Sequence, residues 1–294
     1  MPLKIYINGK FCSKKDAKVS VFDHGLLYGD GVFEGIRSYS RLVFCLEEHI
    51  DRLYKSAAAI TLKIPISRDK MVKAVCDTLK KNKIVDGYVR LIVTRGEGDL
   101  GLDPRKCKGN ALVIIITDKI ALYPRKFYDV GLSIITADTQ QNSIESLHPG
   151  IKSLNYLNNI MAKIEAMKGG HEEAIMLNAK GYVTECTGDN IFIIKNNVVY
   201  TPPASVGILM GVTREMVIGI AKKTKVQLKQ IPFKCSKIYT ADECFLTGTA
   251  AELIPVVKVD GRKIGTGLPG GMTSVFLREF RELTKTHGVR YLKR

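Results

Sequence analysis

One lysine of this chain is set apart from the others by the residues around it. Lys152 lies in the run His148-Pro-Gly-Ile-Lys-Ser-Leu-Asn-Tyr156, directly after a Pro-Gly break. A nucleophilic lysine must spend part of its time neutral, and burial in a pocket lowers the pKa of its amine. Ser153 or Asn155 is suited to cap a following helix, with Tyr156 one turn along. These flanking residues suit a Schiff-base lysine, and the alternative is a surface lysine before a helix.

A single acid follows in a segment with the pattern of a strand, a polar bend and a second strand. Glu185 lies within Val183-Thr-Glu-Cys-Thr-Gly-Asp-Asn-Ile-Phe192. A carboxylate in this position can pair with the protonated ring nitrogen of a bound cofactor. The alternative is a turn acid with no ligand, since Asp189 and Asn190 are ordinary turn residues.

Two further segments are suited to bind anions. Gly211-Val-Thr-Arg214 has the pattern of a helix start, where Thr213 adds a hydroxyl to free backbone N–H groups that bind phosphate. Thr247-Gly-Thr-Ala-Ala251 is a loop of small residues whose amides can reach a phosphate oxygen and a carboxylate. Arg52, on an apparent helix, can add a charge-assisted contact to the phosphate. The alternatives are a capped surface helix, a tight turn and a solvated arginine.

The N-terminal half carries candidates for a substrate pocket. Tyr88 and Arg90 alternate along a strand and therefore face the same side, where an arginine beside a tyrosine hydroxyl suits a carboxylate. Tyr28 and Phe33 lie in the run Leu27-Tyr-Gly-Asp-Gly-Val-Phe-Glu-Gly35, whose glycines indicate a backbone crowded by a ligand or by another subunit. The alternatives are the polar outer face of an amphipathic strand and flexible turns.

Together these residues form the set of groups that pyridoxal phosphate (PLP) requires. The set has an amine for a Schiff base, an acid for the pyridinium nitrogen, and cradles for a phosphate and a carboxylate. The sequence therefore predicts PLP as the cofactor.

The composition argues against several other kinds of protein. The 294 residues include seven scattered cysteines without a CxxC pair and five dispersed histidines. This pattern indicates reduced thiols in a cytoplasmic protein without a metal site. No apolar run approaches the roughly 18 residues of a membrane span, so we expect no membrane partner. The N-terminal strand pattern also differs from a signal peptide.

The net charge of +16 raises one alternative function, a basic nucleic-acid-binding module. The lysines and arginines are spread along the chain, however, without a dense basic tail, a helix-turn-helix pattern or an RNA-stacking motif. A solvated lysine-rich surface that also attracts anionic small molecules explains the charge better. We therefore expect no nucleic-acid partner.

The elements that must position the candidate residues follow the hydrophobic pattern. Asn8-Gly9 predicts a hairpin turn, and apolar residues recur at helical spacing from Leu46 to Ile60. Hairpins mixed with separate helices favour an α+β fold. Strands are predicted near residues 4–11, 33–39, 42–45, 88–94, 111–117, 132–137, 174–177, 191–194, 198–200, 245 and 256, and helices near 46–60, 72–79, 154–167, after 211 and from 272.

Two α+β domains are expected from this order of elements. The first covers residues 1–121 and contains a loop rich in Gly, Asp and Pro at 96–110. A connector with Pro124 inside it covers 122–130. The second domain, which carries Lys152, covers 131–294.

A series of motifs extends over nearly the whole chain: Tyr28-Gly-Asp-Gly-Val-Phe-Glu-Gly-Ile-Arg37, His49-Ile-Asp-Arg-Leu53, Tyr88-Val-Arg90, Gly98-Asp-Leu-Gly-Leu-Asp-Pro104, Lys152-Ser-Leu-Asn-Tyr156, Glu185, Gly211-Val-Thr-Arg214 and Thr247-Gly-Thr-Ala-Ala-Glu252. In this order they make the chain resemble the class IV aminotransferases, fold type IV of the PLP enzymes. Among these it most resembles the branched-chain-amino-acid aminotransferases.

The resemblance implies how the cofactor is held. Lys152 would carry it as a Schiff base and move the proton, Tyr156 would hydrogen-bond its phenolic oxygen, and Glu185 would hold the pyridine nitrogen. Leu209 would pack under the ring. The phosphate would be bound by Arg52, Val212, Thr213 and Thr249, with Gly248 also among the cofactor-binding residues.

The resemblance also implies a substrate site. Thr249 and Ala250 would offer amides to the α-carboxylate, helped by Tyr88. Arg90, with Tyr28 of the neighbouring subunit, would receive the side-chain carboxylate of glutamate. Phe33 and Gly35 would line the apolar side-chain pocket.

The implied reaction moves the amino group of leucine, isoleucine or valine to 2-oxoglutarate, with amino acids and 2-oxo acids as small-molecule partners. The implied assembly is a homodimer or higher oligomer, with the active site at the interface of the two domains. D-amino-acid aminotransferases share the fold and the run Lys152-Ser-Leu-Asn155, so a D-specific enzyme is the alternative. Phe33-Glu-Gly-Ile-Arg37, Tyr88-Val-Arg90 and the loop Gly98–Pro104 favour the branched-chain enzymes.

Overall fold

Two units, each with its own β-sheet and core, make up the fold in the computed structural model, which describes residues 3–107, 109, 111–119 and 123–292. The first unit comprises Met1–Ile120, Ile151–Asn155 and Thr284–Arg294, and the second comprises Ala121–Gly150 and Tyr156–Leu283. Both contain helices together with largely antiparallel strands, which confirms the predicted α+β class.

Helices and strands are interspersed along the chain. The N-terminal elements are β1 Lys4–Ile7, β2 Lys10–Ser13, α1 His24–Tyr28, β3 Gly31–Tyr39, β4 Leu42–Phe44, α2 Leu46–Ala59, α3 Arg68–Lys81, β5 Gly87–Thr94 and β6 Leu112–Asp118. They are followed by α4 Lys126–Val130, β7 Leu132–Thr136, α5 Leu157–Lys168, β8 Ala174–Leu177, β9 Val183–Cys186, β10 Asn190–Lys195, β11 Val198–Thr201, α6 Val212–Lys223, β12 Leu228–Gln230, α7 Cys235–Tyr239, β13 Glu243–Gly248, β14 Glu252–Val259, β15 Arg262–Lys263, α8 Gly271–Leu283 and β16 Gly288–Arg290.

The first unit is a seven-stranded antiparallel sheet in the order β16-β4-β3-β5-β6-β1-β2. The predicted hairpin turn at Asn8-Gly9 is confirmed, since Ile7 pairs with Lys10 across it. Helices α2 and α3 pack against one face of the sheet. The predicted apolar stripe of α2 is confirmed, because its residues Leu46, Ile50, Leu53 and Ala57 are buried in this core.

The side chains of β5 point alternately into the core and toward the opposite face of this sheet. Successive side chains of a strand point to opposite faces. Val89 and Leu91 are fully buried in the core, while Tyr88 and Arg90 are half-buried on the other side. The prediction that Tyr88 and Arg90 share a face is therefore confirmed.

The second unit is a nine-stranded mixed sheet in the order β12-β11-β10-β13-β14-β7-β8-β9, with β15 paired to β14. Parallel pairing occurs between β11 and β12, β14 and β7, and β7 and β8. Helices α6 and α8 pack on β13. The strand, bend and strand predicted over residues 183–192 are present: Glu185 lies in β9, and β10 begins at Asn190.

The segment of Lys152 packs with the first unit, whereas the sequence placed it in the C-terminal domain. Ser153 forms an isolated antiparallel bridge with Val32 of β3, Phe33 N–H donates to the carbonyl of Lys152 at 3.0 Å, and Leu154 N–H donates to that of Gly31 at 2.9 Å. β4 pairs with the far end of β3 and leaves this stretch of its edge to residues 152–154. Long-range backbone pairing therefore decides the position of the lysine.

The connector predicted at residues 122–130 is more ordered than a linker. The predicted boundary between residues 121 and 122 lies outside the described residues. Beyond it, residues 126–130 form the short helix α4, and Phe127 and Tyr128 pack against the core of the second unit. The apolar aromatic residues that follow Pro124 therefore make this segment part of a folded unit.

The helix after Lys152 starts later than predicted. Helix α5 begins at Leu157, not near Leu154, and its N-cap residue is Tyr156, whose side chain makes no capping hydrogen bond. The proposed caps Ser153 and Asn155 are therefore wrong, and Tyr156 is not one helical turn from Lys152. Because the backbone of residues 152–154 is hydrogen-bonded to β3, the helix can start only after the chain has left that strand. Among the described residues, no helix has the length and apolar character needed to cross a bilayer.

Candidate functional site

In the first unit, two basic side chains lie close to one aromatic ring. The Nζ of Lys152 lies 4.6 Å from the ring centroid of Phe33, and the guanidinium carbon of Arg90 lies 4.8 Å from the same centroid. Lys152 is fixed through its backbone, since its N–H donates to Ser56 Oγ at 3.1 Å. An amine and a guanidinium thus contact one apolar ring, which suits a ligand with an apolar part and a carboxylate.

Tyr88 lies beside this group and requires a glycine on the neighbouring strand. Gly35 pairs with Arg90 across β3 and β5. A Cβ atom built on Gly35 would be 1.8 Å from the hydroxyl of Tyr88. The phenol therefore occupies the space that any larger residue at position 35 would fill.

Behind this face, a buried carboxylate holds Arg52. Glu34 of β3 is fully buried and accepts two hydrogen bonds from Arg52, from Nε at 2.7 Å and from Nη2 at 2.8 Å. His49 Nδ1 lies 2.8 Å from the same carboxylate. A carboxylate only accepts, so the ring nitrogen facing it is the one that carries the proton. Arg52 is therefore oriented from the side of β3, which the sequence did not reveal.

The charges of this network follow from burial and pairing. Burial by itself would raise the pKa of the Glu34 carboxyl, but Arg52 and then His49 hold that pKa well below its ordinary value. Burial lowers the pKa of His49, although Glu34 opposes this. At neutral pH the group is thus an ionised Glu34–Arg52 pair with a neutral imidazole.

In the second unit, Glu185 is held by three neutral donors. Its carboxylate, 7% exposed, accepts from Gln141 Nε2 at 3.0 Å, from Asn190 Nδ2 at 2.9 Å and from the backbone N–H of Leu209 at 3.0 and 3.1 Å. Asn190, predicted as a turn residue, is buried at the start of β10. The anion is therefore fixed in one orientation, as a partner for a ring nitrogen requires.

The predicted helix start after Gly211 is confirmed. Gly211 is the N-cap of the twelve-residue helix α6, and the first helical backbone bond runs from Glu215 N–H to the Gly211 carbonyl. The amides of Val212 and Thr213 precede that bond and point out of the helix N-terminus. A Cβ on Gly211 would be 2.1 Å from Asn190 Oδ1, so only glycine fits there.

The small-residue loop is the turn between β13 and β14. Thr249, Ala250 and Ala251 connect the two strands. A Cβ on Gly248 would be 1.8 Å from Asp189 Oδ1. The buried hydroxyl of Thr247 has no hydrogen-bond partner within the part of the chain that the structure describes.

These donor sets fit PLP. Within the second unit, the start of α6 suits a phosphate and the held anion Glu185 suits a pyridinium nitrogen. Within the first unit, Lys152 has the amine that a Schiff base requires. The structure does not test the roles of Tyr156, Leu209, Thr249 and Ala250, which stay predictions. Tyr28 is likewise untested as a substrate residue: in this chain its hydroxyl accepts from Gly101 N–H at 2.9 Å.

One further group of polar residues has the types found in metal sites. Ligand atoms of Cys45, Glu48 and His287 lie within 4.8 Å of one another, although sequence spacing gave no sign of it. His287 Nε2 already pairs with Glu48 at 2.6 Å. Burial, and next Glu48, raise the pKa of the Cys45 thiol far above its ordinary value, and only a thiolate binds metal well. We interpret the group as a hydrogen-bonded His287–Glu48 pair beside a buried thiol, and the expectation of no metal stays a prediction.

Comparison with known proteins identifies the same family along the chain. The family model for amino-transferase class IV matches residues 31–259. A Methanocaldococcus jannaschii protein provisionally named a branched-chain-amino-acid aminotransferase is 49% identical over 98% of this chain and 99% of its own. A D-alanine aminotransferase of Bacillus licheniformis is 36% identical over 92% of this chain and 93% of its own.

Solved structures match the fold closely. The branched-chain amino acid aminotransferase of Escherichia coli superposes with a TM-score of 0.94 at 32% identity, over 97% of this chain and 95% of that one. The enzyme of the same name from Thermobaculum terrenum, solved in its PLP form, gives a TM-score of 0.88 at 28% identity, over 99% of this chain and 96% of that one.

Proposed function

Because this chain belongs to the class IV aminotransferases, we propose that it transaminates leucine, isoleucine and valine with 2-oxoglutarate, with PLP as the cofactor. The products are the branched-chain 2-oxo acids and L-glutamate. The relatives and solved structures that bear the name of branched-chain aminotransferases support this choice of substrate.

The observation that carries the proposal is the Phe33 ring, which has both Lys152 and Arg90 close to its centroid, at 4.6 and 4.8 Å. An enzyme of this kind must accept an apolar side chain in one half-reaction and the side-chain carboxylate of glutamate in the other. The ring offers an apolar wall to the first, and Arg90 offers a charge-assisted contact to the second. Tyr28 is proposed to assist Arg90.

We propose that the cofactor is held by residues whose charges complement those of its own groups. When bound, PLP supplies an electrophilic carbonyl carbon and an electron-withdrawing ring. Lys152 Nζ holds it and moves the proton at the substrate Cα. Glu185 accepts the N–H of the pyridinium. The remaining cofactor residues are Arg52, Tyr156, Leu209, Val212, Thr213, Gly248 and Thr249.

The substrate α-carboxylate is proposed to be bound by amides of Thr249 and Ala250 and by the hydroxyl of Tyr88. A charged group bound by several fixed donors keeps the Cα–H bond in one orientation, which is required for proton transfer to a fixed amine. Phe33 and Gly35 line the pocket for the side chain.

Gly35→Ala is expected to lower kcat/KM for leucine by about 100-fold, because the new Cβ forces the Tyr88 hydroxyl away from the substrate, and misplacement by about 1 Å has costs of this size. The control is Gly219→Ala, within α6, where an added Cβ meets nothing within 4 Å. Steady-state kinetics and melting temperatures are measured for both variants and compared with those of the wild type. Equal kinetics for the two would show that the position of Tyr88 does not matter.

The substrate proposal is tested with four separate donors. L-leucine, L-valine, D-alanine and D-glutamate are each supplied with 2-oxoglutarate, or with pyruvate as acceptor for D-glutamate, and amino-group transfer is measured. We expect turnover with the two branched-chain L-amino acids. Turnover confined to the D-amino acids would replace the proposal with the D-specific alternative, which the similarity to the Bacillus licheniformis enzyme keeps open.

A homodimer is proposed from the surface of α5. Leu157, Ile160, Met161, Ile164 and Met167 are exposed on its outer face, from 36% to 70%, while its alanines pack inward. Apolar patches of several hundred Å² are uncommon on monomers unless another surface covers them. Sedimentation velocity at micromolar concentration should give twice the chain mass of 32.6 kDa. A single species at the chain mass would contradict the proposal.

A further inference from the structure

We propose that Gln141 and Asn190 are positioning residues that aim the carboxylate of Glu185. This inference rests on the proposed role of Glu185 as the partner of the cofactor ring nitrogen. Neither amide belongs to the motifs by which the sequence resembles its family. The two side chains reach Glu185 from different parts of the second unit and act only through it.

Each amide controls a different oxygen. Gln141 Nε2 donates to Glu185 Oε1 at 3.0 Å, and Asn190 Nδ2 donates to Oε2 at 2.9 Å. Leu209 N–H donates to both oxygens. Two donors on opposite sides of a carboxylate fix its rotation about the bond to the side chain, which a single donor cannot do.

Both amides are themselves held in place. The Gln141 backbone N–H donates to the Leu177 carbonyl at 2.8 Å, and its side-chain oxygen accepts from Asn142 N–H at 3.0 Å. Asn190 Nδ2 also donates to the Leu209 carbonyl at 2.9 Å. Since a carboxylate only accepts hydrogen bonds, the NH2 group of each amide must face Glu185. If the Gln141 amide turned over it would lose a bond at its nitrogen and one at its oxygen, and Asn190 would lose both bonds that its NH2 group donates.

Burial makes this control effective. Gln141, Glu185 and Asn190 are 6%, 7% and 5% exposed, so water cannot easily replace a lost donor. Loss of Gln141 would remove from Oε1 a donor at 3.0 Å that does not contact Oε2, whereas the Leu209 N–H donates to both oxygens. The carboxylate could then turn, and its hydrogen bond to a ring nitrogen would lengthen. A carboxylate misplaced in this way lowers the rate of proton transfer, and therefore kcat, more than it weakens substrate binding.

The test compares two neighbouring glutamines. Gln141→Met removes the donor with little change in shape, and Gln140→Met makes the same change on an exposed side chain. We expect Gln141→Met to lower kcat roughly ten-fold, as loss of a hydrogen bond to a charged group does, with KM changed less than two-fold. The pyridine-nitrogen 15N chemical shift of labelled PLP on the protein should move as well. Gln140→Met should leave all three unchanged.

Coupling to Glu185 separates positioning from simple support of the fold. In a Glu185→Gln background, Gln141→Met should have little further effect on kcat or on the 15N shift, because its target is already altered. A full and independent effect in that background would overturn the proposal. So would a lower melting temperature with kcat and 15N shift unchanged. If Gln141→Met does not fold, Gln141→Asn, which withdraws the donor by one methylene, is subject to the same comparisons.

Failure of this inference is distinguishable from failure of the proposed function. If Glu185→Gln alone leaves the 15N shift and kcat unchanged, Glu185 does not face the ring nitrogen and the proposed site is wrong. If Glu185→Gln changes both but Gln141→Met and Gln141→Asn change neither, the site stands and Gln141 has no positioning role.

Discussion

Replacement of Lys152 with alanine is expected to reduce transamination by at least about 10⁴-fold, the upper range for loss of a positioned acid–base group. The variant should also lose the visible absorbance of lysine-bound PLP. The physical reason is that Lys152 Nζ is proposed both to hold the cofactor and to move the substrate proton. Absorbance spectra and single-turnover assays with L-leucine measure the two losses separately.

The control for this variant is Lys180→Ala, which removes an exposed lysine from a turn of the second unit. It should keep full activity and the wild-type spectrum. In the alanine variant the backbone at position 152 should still accept from Phe33 N–H of β3 and donate to Ser56 Oγ of α2, because neither bond uses the lysine side chain. A Lys152→Ala enzyme with the wild-type absorbance and rate would refute the assignment of the nucleophile.

Replacement of Glu34 with glutamine is expected to lower the free energy of unfolding by about 3 kcal/mol, since removal of one partner from a buried ion pair leaves the other charge uncompensated. Arg52 is only 13% exposed and donates two hydrogen bonds to this carboxylate. Urea denaturation at pH 7 measures the change. The matched control is Asp51→Asn, which breaks the Asp51–Arg68 pair, 55% exposed on both sides. Its cost should be below about 1 kcal/mol.

The pH dependence of stability gives a second readout for Glu34. Its folded-state pKa is depressed below the ordinary 4.5, so its contribution is complete above that value and is lost as the pH falls toward the folded pKa. The difference in unfolding free energy between wild type and Glu34→Gln should therefore be constant above about pH 6 and shrink below about pH 4.5. A difference that does not change down to about pH 3 would show that Glu34 is not ionised in the fold.

His49 adds a separate trend in the wild-type protein. Burial lowers its pKa from 6.5, so below that pH the unfolded chain binds a proton that the folded chain does not. Stability should therefore decline as the pH falls through 6.5, before the Glu34 contribution starts to be lost.

The sequence predicted correctly those elements that are determined by residues close together along the chain. Asn8-Gly9 supplies the backbone conformations of a tight turn, and the stripe from Leu46 to Ala57 supplies a helical face, so both were found. The start of α5 was placed too early for the opposite reason. Residues 152–154 are compatible with a helix, but backbone pairing with the distant strand β3 competes for them. No local pattern reports such a partner.

The candidate site likewise contains residues that local sequence could identify and contacts that only the folded structure shows. Three parts of the site carry local signals in the sequence. Lys152 follows a Pro-Gly break, Glu185 is an isolated acid in a strand–bend–strand segment, and the start of α6 has a glycine before the helix. Gln141 lies 44 residues from the carboxylate that it binds and has no distinctive neighbours. Glu34 and His49 lie inside motifs on which the family resemblance rests, yet the pairing of Glu34 with His49 and Arg52 depends on how α2 lies against β3. Such contacts come from packing and are seen only in the structure.

The path of the backbone limits how this protein can be made or divided. The edge of β3 near Phe33 is completed by residues 152–154, and β4 is completed by β16 near the C-terminus. On the ribosome, the first sheet therefore cannot complete its outer hydrogen bonds until residues 152–154 and 288–290 have been synthesised. A gene fragment that ends at residue 120 would encode a sheet with open edges and would lack the reactive amine, so splitting the gene there should yield an aggregation-prone product instead of a separable half-enzyme.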